Sequence, residues 1–248
     1  MPLCTVVACD NDAGGPEANS RIVWPGANVV LFGASGAGKS TVLKMLSRLY
    51  RPDSGQIIIG GDGTAKNPGV DLNKIKIQGF REQIAIVPQA GGLFSTTVGK
   101  NLLAVKPDAT MAEIESALRS AEALGFIKRK GGDDLAKGLD APVESFSGGQ
   151  QQRIAIARAL LRKSNLLLLD EWSQGLDNAN ESSIAKVFDR MQKGRTTIII
   201  DHSLRYDKKT TKIIVMKDGK VIDAGSHDLL MERNPSYRAA VKLGERNK

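Results

Sequence analysis

The chain contains only two cysteines among its 248 residues and has no long hydrophobic run. Cys4 and Cys9 provide neither a disulfide framework nor the ligand spacing of a zinc site, so we expect reduced, inert thiols in a cytosolic setting. A membrane-spanning helix needs roughly 20 apolar residues, and the first apolar stretch is broken by Asp10 and Asn11. No signal peptide is recognisable either. Any membrane role is therefore expected to depend on a partner or on a part of the protein outside this sequence.

The charge is unbalanced towards the positive side, with a net charge of +8 at pH 7. Such an excess is typical of proteins that bind nucleic acid or an acidic membrane surface, and it also arises from a nucleotide site accompanied by scattered surface lysines. The lysines are spread along the whole chain, which favours the second interpretation. Hydrophobic residues make up 41% of the chain and charged residues 25%, an ordinary balance for a globular protein with a buried core.

Short apolar runs alternate with helical patterns along most of the chain. We predict strands at residues 29–32, 56–59, 84–87, 166–169 and 196–200, and a hairpin at residues 212–216 and 220–223. Thr110 and Glu113 form a capping box that predicts the start of a helix. Strands that alternate with helices indicate an α/β fold with a parallel sheet. The helical stretch at residues 98–139 interrupts this alternation and is a candidate second subdomain.

The segment Gly33-Ala34-Ser35-Gly36-Ala37-Gly38-Lys39-Ser40 fits the phosphate-binding P-loop pattern and lies between a predicted strand and a predicted helix. Glycines let backbone N–H groups approach the phosphate oxygens, and the helix N-terminus adds a partial positive charge. Lys39 is expected to reach the β- and γ-phosphates, and Ser40 to offer its hydroxyl to Mg²⁺. We therefore predict a nucleotide site formed by Gly33, Ala34, Ser35, Gly36, Ala37, Gly38, Lys39, Ser40 and Thr41.

Two acidic residues, Asp170 and Glu171, follow the four leucines of the predicted strand at residues 166–169. Ligands of an open α/β sheet bind at the carboxyl ends of its strands. Asp170 is suited to hold Mg²⁺, directly or through a water, and Glu171 to act as the general base or to polarise the attacking water. Adjacent carboxylates also occur as solvated turn residues, but a position after a fully apolar strand, in a chain with a P-loop, favours the catalytic interpretation.

The tetrapeptide Ser147-Gly148-Gly149-Gln150 stands directly before a predicted helix. By itself it is a flexible turn with a capping serine. In this position it resembles the signature motif of the ATP-binding cassette (ABC) family, with Phe146 where the family often has leucine. The resemblance covers the chain from about residue 22 to about residue 243. It implies that Ser147, Gly148, Gly149 and Gln150 contact the ATP that is held by the P-loop of a second domain.

Three further segments resemble motifs of the same family. Gln89, which follows Val87-Pro88, is similar to the Q-loop glutamine that touches Mg²⁺ and senses the membrane partner. Asp177 is similar to the D-loop residue at the contact between two domains. His202 matches the switch histidine, and at the end of a buried strand it could also reach the γ-phosphate. The resemblance thus implies catalytic roles for Gln89, Glu171 and His202, and magnesium ligation by Ser40, Gln89 and Asp170.

The resemblance also implies a fold, a P-loop NTPase core with a mostly parallel sheet, an antiparallel β edge and a helical subdomain. We expect a single domain over residues 1–248, with the RecA-like core at about 1–90 and 162–248 and the helical subdomain at about 91–161. The segments Leu93-Phe94-Ser95 and Gly225-Ser226-His227-Asp228 resemble exporter-type members.

The activity that this resemblance implies is the hydrolysis of ATP, with Mg²⁺, coupled to export across a membrane. The implied partners are a transmembrane domain, fused or separate, and a second nucleotide-binding domain of the same or a different chain. Attachment to the transmembrane partner would place this chain peripherally, at the cytoplasmic face of a membrane.

Two other functions compete with transport. A soluble ABC ATPase that acts on nucleic acid or ribosomes typically carries a coiled-coil insertion, zinc modules or tandem cassettes, and the sequence contains none of these, so no nucleic-acid partner is expected. A regulatory domain that binds ATP without hydrolysing it commonly lacks one of the catalytic residues. Gln89, Glu171 and His202 are all present in this chain.

The family usually carries an aromatic residue upstream of the P-loop that stacks on adenine, but residues 8–12 contain none. Such stacking contributes about 1 kcal/mol. We therefore predict that the chain binds other nucleoside triphosphates nearly as well as ATP, which parallel titrations with ATP and GTP measure. A preference for ATP of about a hundredfold or more would reveal a further residue that recognises the base.

Overall fold

The structure is a computed structural model, and it describes residues 5–8, 22–23, 25–60, 69–89, 92–172, 181–201, 210 and 212–246. The chain divides into two compact units. Unit 1 comprises Met1–Ile84 and Gly194–Lys248, and unit 2 comprises Ala85–Lys193. The predicted helical subdomain, residues 91–161, lies inside unit 2, and its boundaries stay a prediction.

Strands and helices alternate through the described part of the chain. The strands are β1 (Thr5–Ala8), β2 (Ile22–Val23), β3 (Asn28–Phe32), β4 (Gln56–Ile59), β5 (Val70–Asp71), β6 (Ile84–Val87), β7 (Leu166–Asp170), β8 (Thr196–Ile200), β9 (Lys212–Lys217) and β10 (Lys220–Gly225). The helices are α1 (Lys39–Leu46), α2 (Ile77–Glu82), α3 (Val98–Leu103), α4 (Met111–Ser120), α5 (Leu124–Lys130), α6 (Leu135–Leu139), α7 (Gly148–Leu161), α8 (Glu181–Gln192), α9 (His227–Arg233) and α10 (Pro235–Arg246). None of these helices combines the length and the apolar character that a membrane crossing requires.

Unit 1 is built on a parallel arrangement around β3. This strand pairs in parallel with β8 on one side, where Val30 lies opposite Ile199, and in parallel with β9 on the other, where Val30 lies opposite Ile213. β10 returns antiparallel to β9, as the hairpin pattern predicted. A second sheet, of order β2-β1-β4-β5, is antiparallel. The α/β fold class with a mostly parallel sheet and antiparallel β strands is therefore confirmed.

The core of unit 1 follows from the apolar runs of its central strands. Val29, Val30 and Leu31 of β3 are buried, and so are the isoleucines of β8 and β9 that lie opposite them. A strand that is apolar on both faces is typical of a parallel sheet covered by helices. At the end of β3 the ring of Phe32 meets that of Tyr237 edge to face, with centroids 5.2 Å apart. This packing fixes the point at which the chain leaves β3.

Unit 2 combines two strands with a helical segment. β6 and β7 are neighbours in the sheet, and the four leucines of β7 are all buried. Directly after β7, Trp172 stacks on Phe188 of α8 with ring centroids 5.9 Å apart. The stretch predicted to be helical, residues 98–139, forms α3 to α6. The buried leucines of β7 and the stacking of Trp172 on Phe188 therefore hold the carboxyl end of β7 in place.

Helix α4 begins with the capping box that the sequence predicts. The Thr110 side chain accepts a hydrogen bond from the Glu113 N–H, and the Glu113 carboxylate accepts one from the Thr110 N–H. The same carboxylate pairs with Lys106 at 2.5 Å and with Lys163 at 3.1 Å. Hydrogen bonds from Lys106, from Lys163 and from the Thr110 backbone lower the pKa of Glu113 from its ordinary 4.5 to about 2.

We predict that Glu113→Gln lowers the free energy of unfolding at neutral pH. Because the folded-state pKa of Glu113 lies below its unfolded value, its charge contributes to stability in full above about pH 4.5, and the contribution disappears as pH falls through about 2. Thermal unfolding of parent and variant at several pH values should therefore converge in acid. Glu115→Gln on the same helix removes partly exposed ion pairs with Arg119 and Lys128 and should have a smaller effect at neutral pH. A difference between parent and Glu113→Gln that does not change with pH would contradict this prediction.

Candidate nucleotide site

The P-loop of unit 1 connects β3 to α1 through three glycines at which a side chain would meet either a clash or a strained backbone. A Cβ atom added to Gly33 would lie 2.3 Å from the backbone carbonyl oxygen of Met216 on β9. Gly36 and Gly38 have φ of 80° and 94°, in the left-handed region, and Gly38 is the N-cap of α1. These conformations direct the chain around a tight loop into a helix N-terminus, where backbone N–H groups lack intrahelical partners and favour anions.

Lys39 is folded against its own loop. Its side chain is buried, with 5% of its surface exposed, and its ammonium group donates hydrogen bonds of 2.8 Å to the carbonyl oxygens of Gly33 and Ala34. Residues 34–36 are exposed, and so are Ser40 and Thr41 on the first turn of α1. The loop therefore presents backbone and hydroxyl groups to solvent around one anchored cation, which suits the recognition of phosphate groups.

The β9–β10 hairpin contacts the P-loop and supports it, a contact that the local sequence pattern does not predict. The Gly219 N–H donates a hydrogen bond of 3.3 Å to the Ala37 carbonyl oxygen. A Cβ atom added to Gly38 would lie 3.4 Å from the Gly219 Cα. Asp218 and Gly219 have φ of 49° and 76°, as a tight hairpin turn requires. The turn was visible as Lys217-Asp218-Gly219, but nothing in the local pattern indicated what it touches.

The acidic strand end of unit 2 contains an unusual backbone conformation. Asp170 is the last residue of β7, and Glu171, which follows it, has φ of 45°. The other described non-glycine residues with positive φ lie just after a helix or in the β9–β10 turn, namely Arg48, Glu122, Asp133, Lys163 and Asp218. A left-handed residue of this kind costs about 1–3 kcal/mol, and such strain concentrates at functional sites.

Gln89 and Glu171 lie together in unit 2. The Gln89 Nε2 atom donates a hydrogen bond of 2.8 Å to Glu171 Oε2, although the two residues are 82 positions apart in the sequence. Gln89 lies two residues beyond the end of β6, and Glu171 lies one residue beyond the end of β7. Two of the three predicted catalytic residues are thus joined by a direct contact, with Asp170 immediately before one of them.

The signature segment forms the start of α7. Ser147 is its N-cap, and it forms a reciprocal capping box with Gln150. Phe146, before it, is buried and lies 5.6 Å from the ring of Phe126, measured between centroids. Ser147 and Gly148 are exposed. The structure thus anchors the segment through Phe146 and leaves an exposed helix N-terminus, which is a favourable place for an anion.

The predicted magnesium ligands have the chemistry that Mg²⁺ requires. Ser40, Gln89 and Asp170 offer a hydroxyl, an amide carbonyl and a carboxylate oxygen, and Mg²⁺ prefers oxygen ligands. Within the described ranges no three His, Cys, Asp or Glu side chains form a preformed cage. Mg²⁺ is commonly held by one or two protein ligands together with substrate phosphates and water, and the oxygen atoms of Ser40, Gln89 and Asp170 are of the type that it needs.

Two predicted site residues, Asp177 and His202, lie outside the described residues, and so do residues 9–12, where the absence of an adenine-stacking aromatic was noted. Asp201, the residue before His202, is described. It is buried and lies directly after the end of β8. The predicted roles of Asp177 and His202 stay predictions.

Comparison with known proteins gives consistent matches. The family model described as ABC transporter matches residues 19–174. ABC transporter B family member 19 of Arabidopsis thaliana is 39% identical over 232 residues, which cover 92% of this chain and 18% of that protein. The ATP-dependent lipid A-core flippase of Hahella chejuensis is 37% identical over 240 residues, which cover 94% of this chain and 39% of that protein.

A solved structure of a bacterial Atm1-family ABC exporter with ATP bound matches the fold with a TM-score of 0.79 at 32% identity, over 98% of this chain and 41% of that chain. This chain thus spans well under half the length of the relatives that it matches. The matched family model covers more than half of the chain and includes the P-loop, Gln89, the signature and Glu171. The chain therefore belongs to the ABC transporter family, as a nucleotide-binding domain of the kind that hydrolyses ATP.

Proposed function

We propose that this chain binds ATP with Mg²⁺, pairs with a second nucleotide-binding domain, and drives export through a transmembrane partner at the cytoplasmic face of a membrane. The observation that carries the catalytic part is the hydrogen bond of 2.8 Å between Gln89 and Glu171 at the strand end that contains Asp170. The exporters among its relatives support the transport part. Their names do not identify a substrate for this chain.

The proposed hydrolysis assigns a separate task to each group of residues. The P-loop N–H groups and Lys39 bind the phosphates, and they stabilise the negative charge that spreads over the γ-phosphoryl oxygens during transfer. Glu171 accepts a hydrogen bond from the attacking water and increases its nucleophilicity. Ser40, Gln89 and Asp170 would hold Mg²⁺, which supplies further neutralisation of phosphate charge.

The proposed pairing rests on the resemblance of residues 147–150 to the ABC signature and on the exposure of Ser147 and Gly148 in unit 2. Ser147 is the exposed N-cap of α7 in unit 2, and such a helix N-terminus is suited to serve as a second anion site. In our proposal this site binds the γ-phosphate of the ATP held by the partner's P-loop, and Asp177 and His202 act at the same boundary. ATP then holds the two domains together, and hydrolysis releases them.

Lys39→Ala is predicted to abolish most nucleotide binding. The change removes the cation that is anchored over the loop by Gly33 and Ala34, and a charge-assisted contact to phosphate is among the strong hydrogen bonds. Lys44→Ala, five positions after Lys39 and on the exposed side of α1, is the matched control and should bind ATP as the parent does. Parent-like affinity of folded Lys39→Ala in an ATP titration would contradict the P-loop assignment.

Glu171→Gln is predicted to lower the rate of hydrolysis roughly 10²- to 10⁴-fold, the usual loss on removing a general base. The amide oxygen of the new side chain can still accept the hydrogen bond from Gln89, so the local geometry and ATP binding should survive. With Mg²⁺ and ATP the variant should therefore accumulate as a dimer in sizing chromatography, whereas the parent stays mostly monomeric because hydrolysis separates its dimer.

The double variant Glu171→Gln with Ser147→Arg is the control for the second anion site. A bulky cation at the N-terminus of α7 should return the protein to a monomer while leaving the P-loop intact. Hydrolysis at the parent rate by Glu171→Gln would show that Glu171 is not the base. An inactive Glu171→Gln that stays monomeric at saturating ATP would contradict pairing of this chain by itself.

A further inference from the structure

Gln152 is a buried polar residue in the second turn of α7. Only 3% of its surface is exposed, and it lies on the same stripe of the helix as the buried residues Ile156 and Ala159, at spacings of four and seven. An uncharged amide at such a position loses its contacts with water, so it requires hydrogen-bond partners inside the protein. The identity of those partners shows what the side chain holds in place.

The Gln152 amide donates to backbone on two different segments. Its Nε2 atom lies 2.7 Å from the Trp172 carbonyl oxygen and 3.4 Å from the Pro88 carbonyl oxygen. A glutamine amide nitrogen has two N–H donors, which matches two carbonyl acceptors. One side chain therefore ties α7 both to the segment after β6 and to the segment after β7.

These two carbonyls belong to the immediate neighbours of the catalytic pair. Pro88 precedes Gln89, and Trp172 follows Glu171. The side chains of Gln89 and Glu171 link the two segments directly. Gln152 links them a second time, through the backbone carbonyls of Pro88 and Trp172. Glu171 also has φ of 45°, and a strained conformation persists only when the surrounding structure holds it.

We propose that Gln152 is a positioning residue for ATP hydrolysis, which sets the location of Glu171 relative to Gln89 through the backbone carbonyls of Trp172 and Pro88. The proposal rests on the proposed role of Glu171. In this proposal Gln152 contacts neither ATP nor the attacking water. Its effect arises because a carboxylate displaced by about 1 Å from its productive place can lose on the order of a hundredfold in rate.

Ser147 is the N-cap of the same helix, so α7 carries both the signature segment and Gln152. The three glutamines at its start have different tasks. Gln150 completes the capping box, Gln151 donates to the Phe146 carbonyl oxygen at 2.9 Å, and Gln152 reaches Trp172 and Pro88. Removing the Gln152 amide alone therefore tests the bridge and leaves the signature's own hydrogen bonds in place.

The experiment compares Gln152→Met with the parent 248-residue chain in steady-state ATP hydrolysis. Methionine keeps the length and flexibility of the side chain and removes both N–H donors. We expect kcat to fall roughly 10- to 100-fold, while KM for ATP changes less than about threefold because the P-loop is untouched. Gln152→Asn, which retains the amide and shortens its reach, is the second variant and should also lose kcat with little change in KM.

Two controls separate positioning from a general loss of stability. Thr110→Ala removes the N-cap of α4 in the same unit, so it should lower the melting temperature without changing kcat. Gln78→Met makes the same substitution at an exposed glutamine on α2 and should leave both properties unchanged. Parent-like kcat in folded Gln152→Met and Gln152→Asn would overturn the proposal, and so would a kcat loss in Thr110→Ala in proportion to its loss of stability.

A double variant tests whether Gln152 affects the rate of hydrolysis through Glu171. If Gln152 acts through Glu171, adding Gln152→Met to Glu171→Gln should lower kcat less than about twofold further, because the group being positioned has already lost its function. Equal fold-losses in both backgrounds would overturn this inference alone and leave the role of Glu171 intact. A parent-like rate in Glu171→Gln by itself would contradict the proposed function, and the inference with it.

Discussion

The hydrogen bond between Gln89 and Glu171 joins two segments of unit 2 that the chain brings together from 82 positions apart. It depends on β6 and β7 being neighbours, because each residue lies just beyond the end of one of these strands. Burial of the β7 leucines and stacking of Trp172 on Phe188 fix the strand end from which Glu171 departs. The hydrogen bond between Gln89 and Glu171 therefore depends on the apolar packing around it. The same packing holds Glu171 in its left-handed backbone conformation.

In unit 1 the phosphate-binding loop is held by a different constraint, the close approach of its backbone to the backbone of the β9–β10 hairpin. The Met216 carbonyl lies where a side chain on residue 33 would be, and the Gly219 N–H holds the Ala37 carbonyl. The β9–β10 hairpin thus acts as a support for the P-loop, and Lys39 binds two of the loop's own carbonyls. A loop held in this way needs little reordering when it meets phosphate, which reduces the entropic cost of binding.

Much of the fold and of the candidate site could be predicted from the sequence, because the features that identify them are local. The P-loop spacing, the apolar run of β7 with its two carboxylates, and the Thr110 capping box each need only neighbouring residues. The supports of the site could not be predicted. Three consecutive glutamines look alike in the sequence, yet only Gln152 faces the interior, and its partners at 20 and 64 positions away depend on the tertiary fold. Met216 and Gly219 were missed for the same reason.

We propose that a competent site for hydrolysis forms between two nucleotide-binding domains. This pairing is tested most directly by measuring Mg²⁺-dependent phosphate release per chain at saturating ATP over a wide range of protein concentration. If the signature of one copy completes the site of another, the rate per chain rises with concentration, and it levels off only when the copies are paired. A rate per chain that stays constant down to the lowest measurable concentration, in a protein shown to be monomeric there, would contradict the claim.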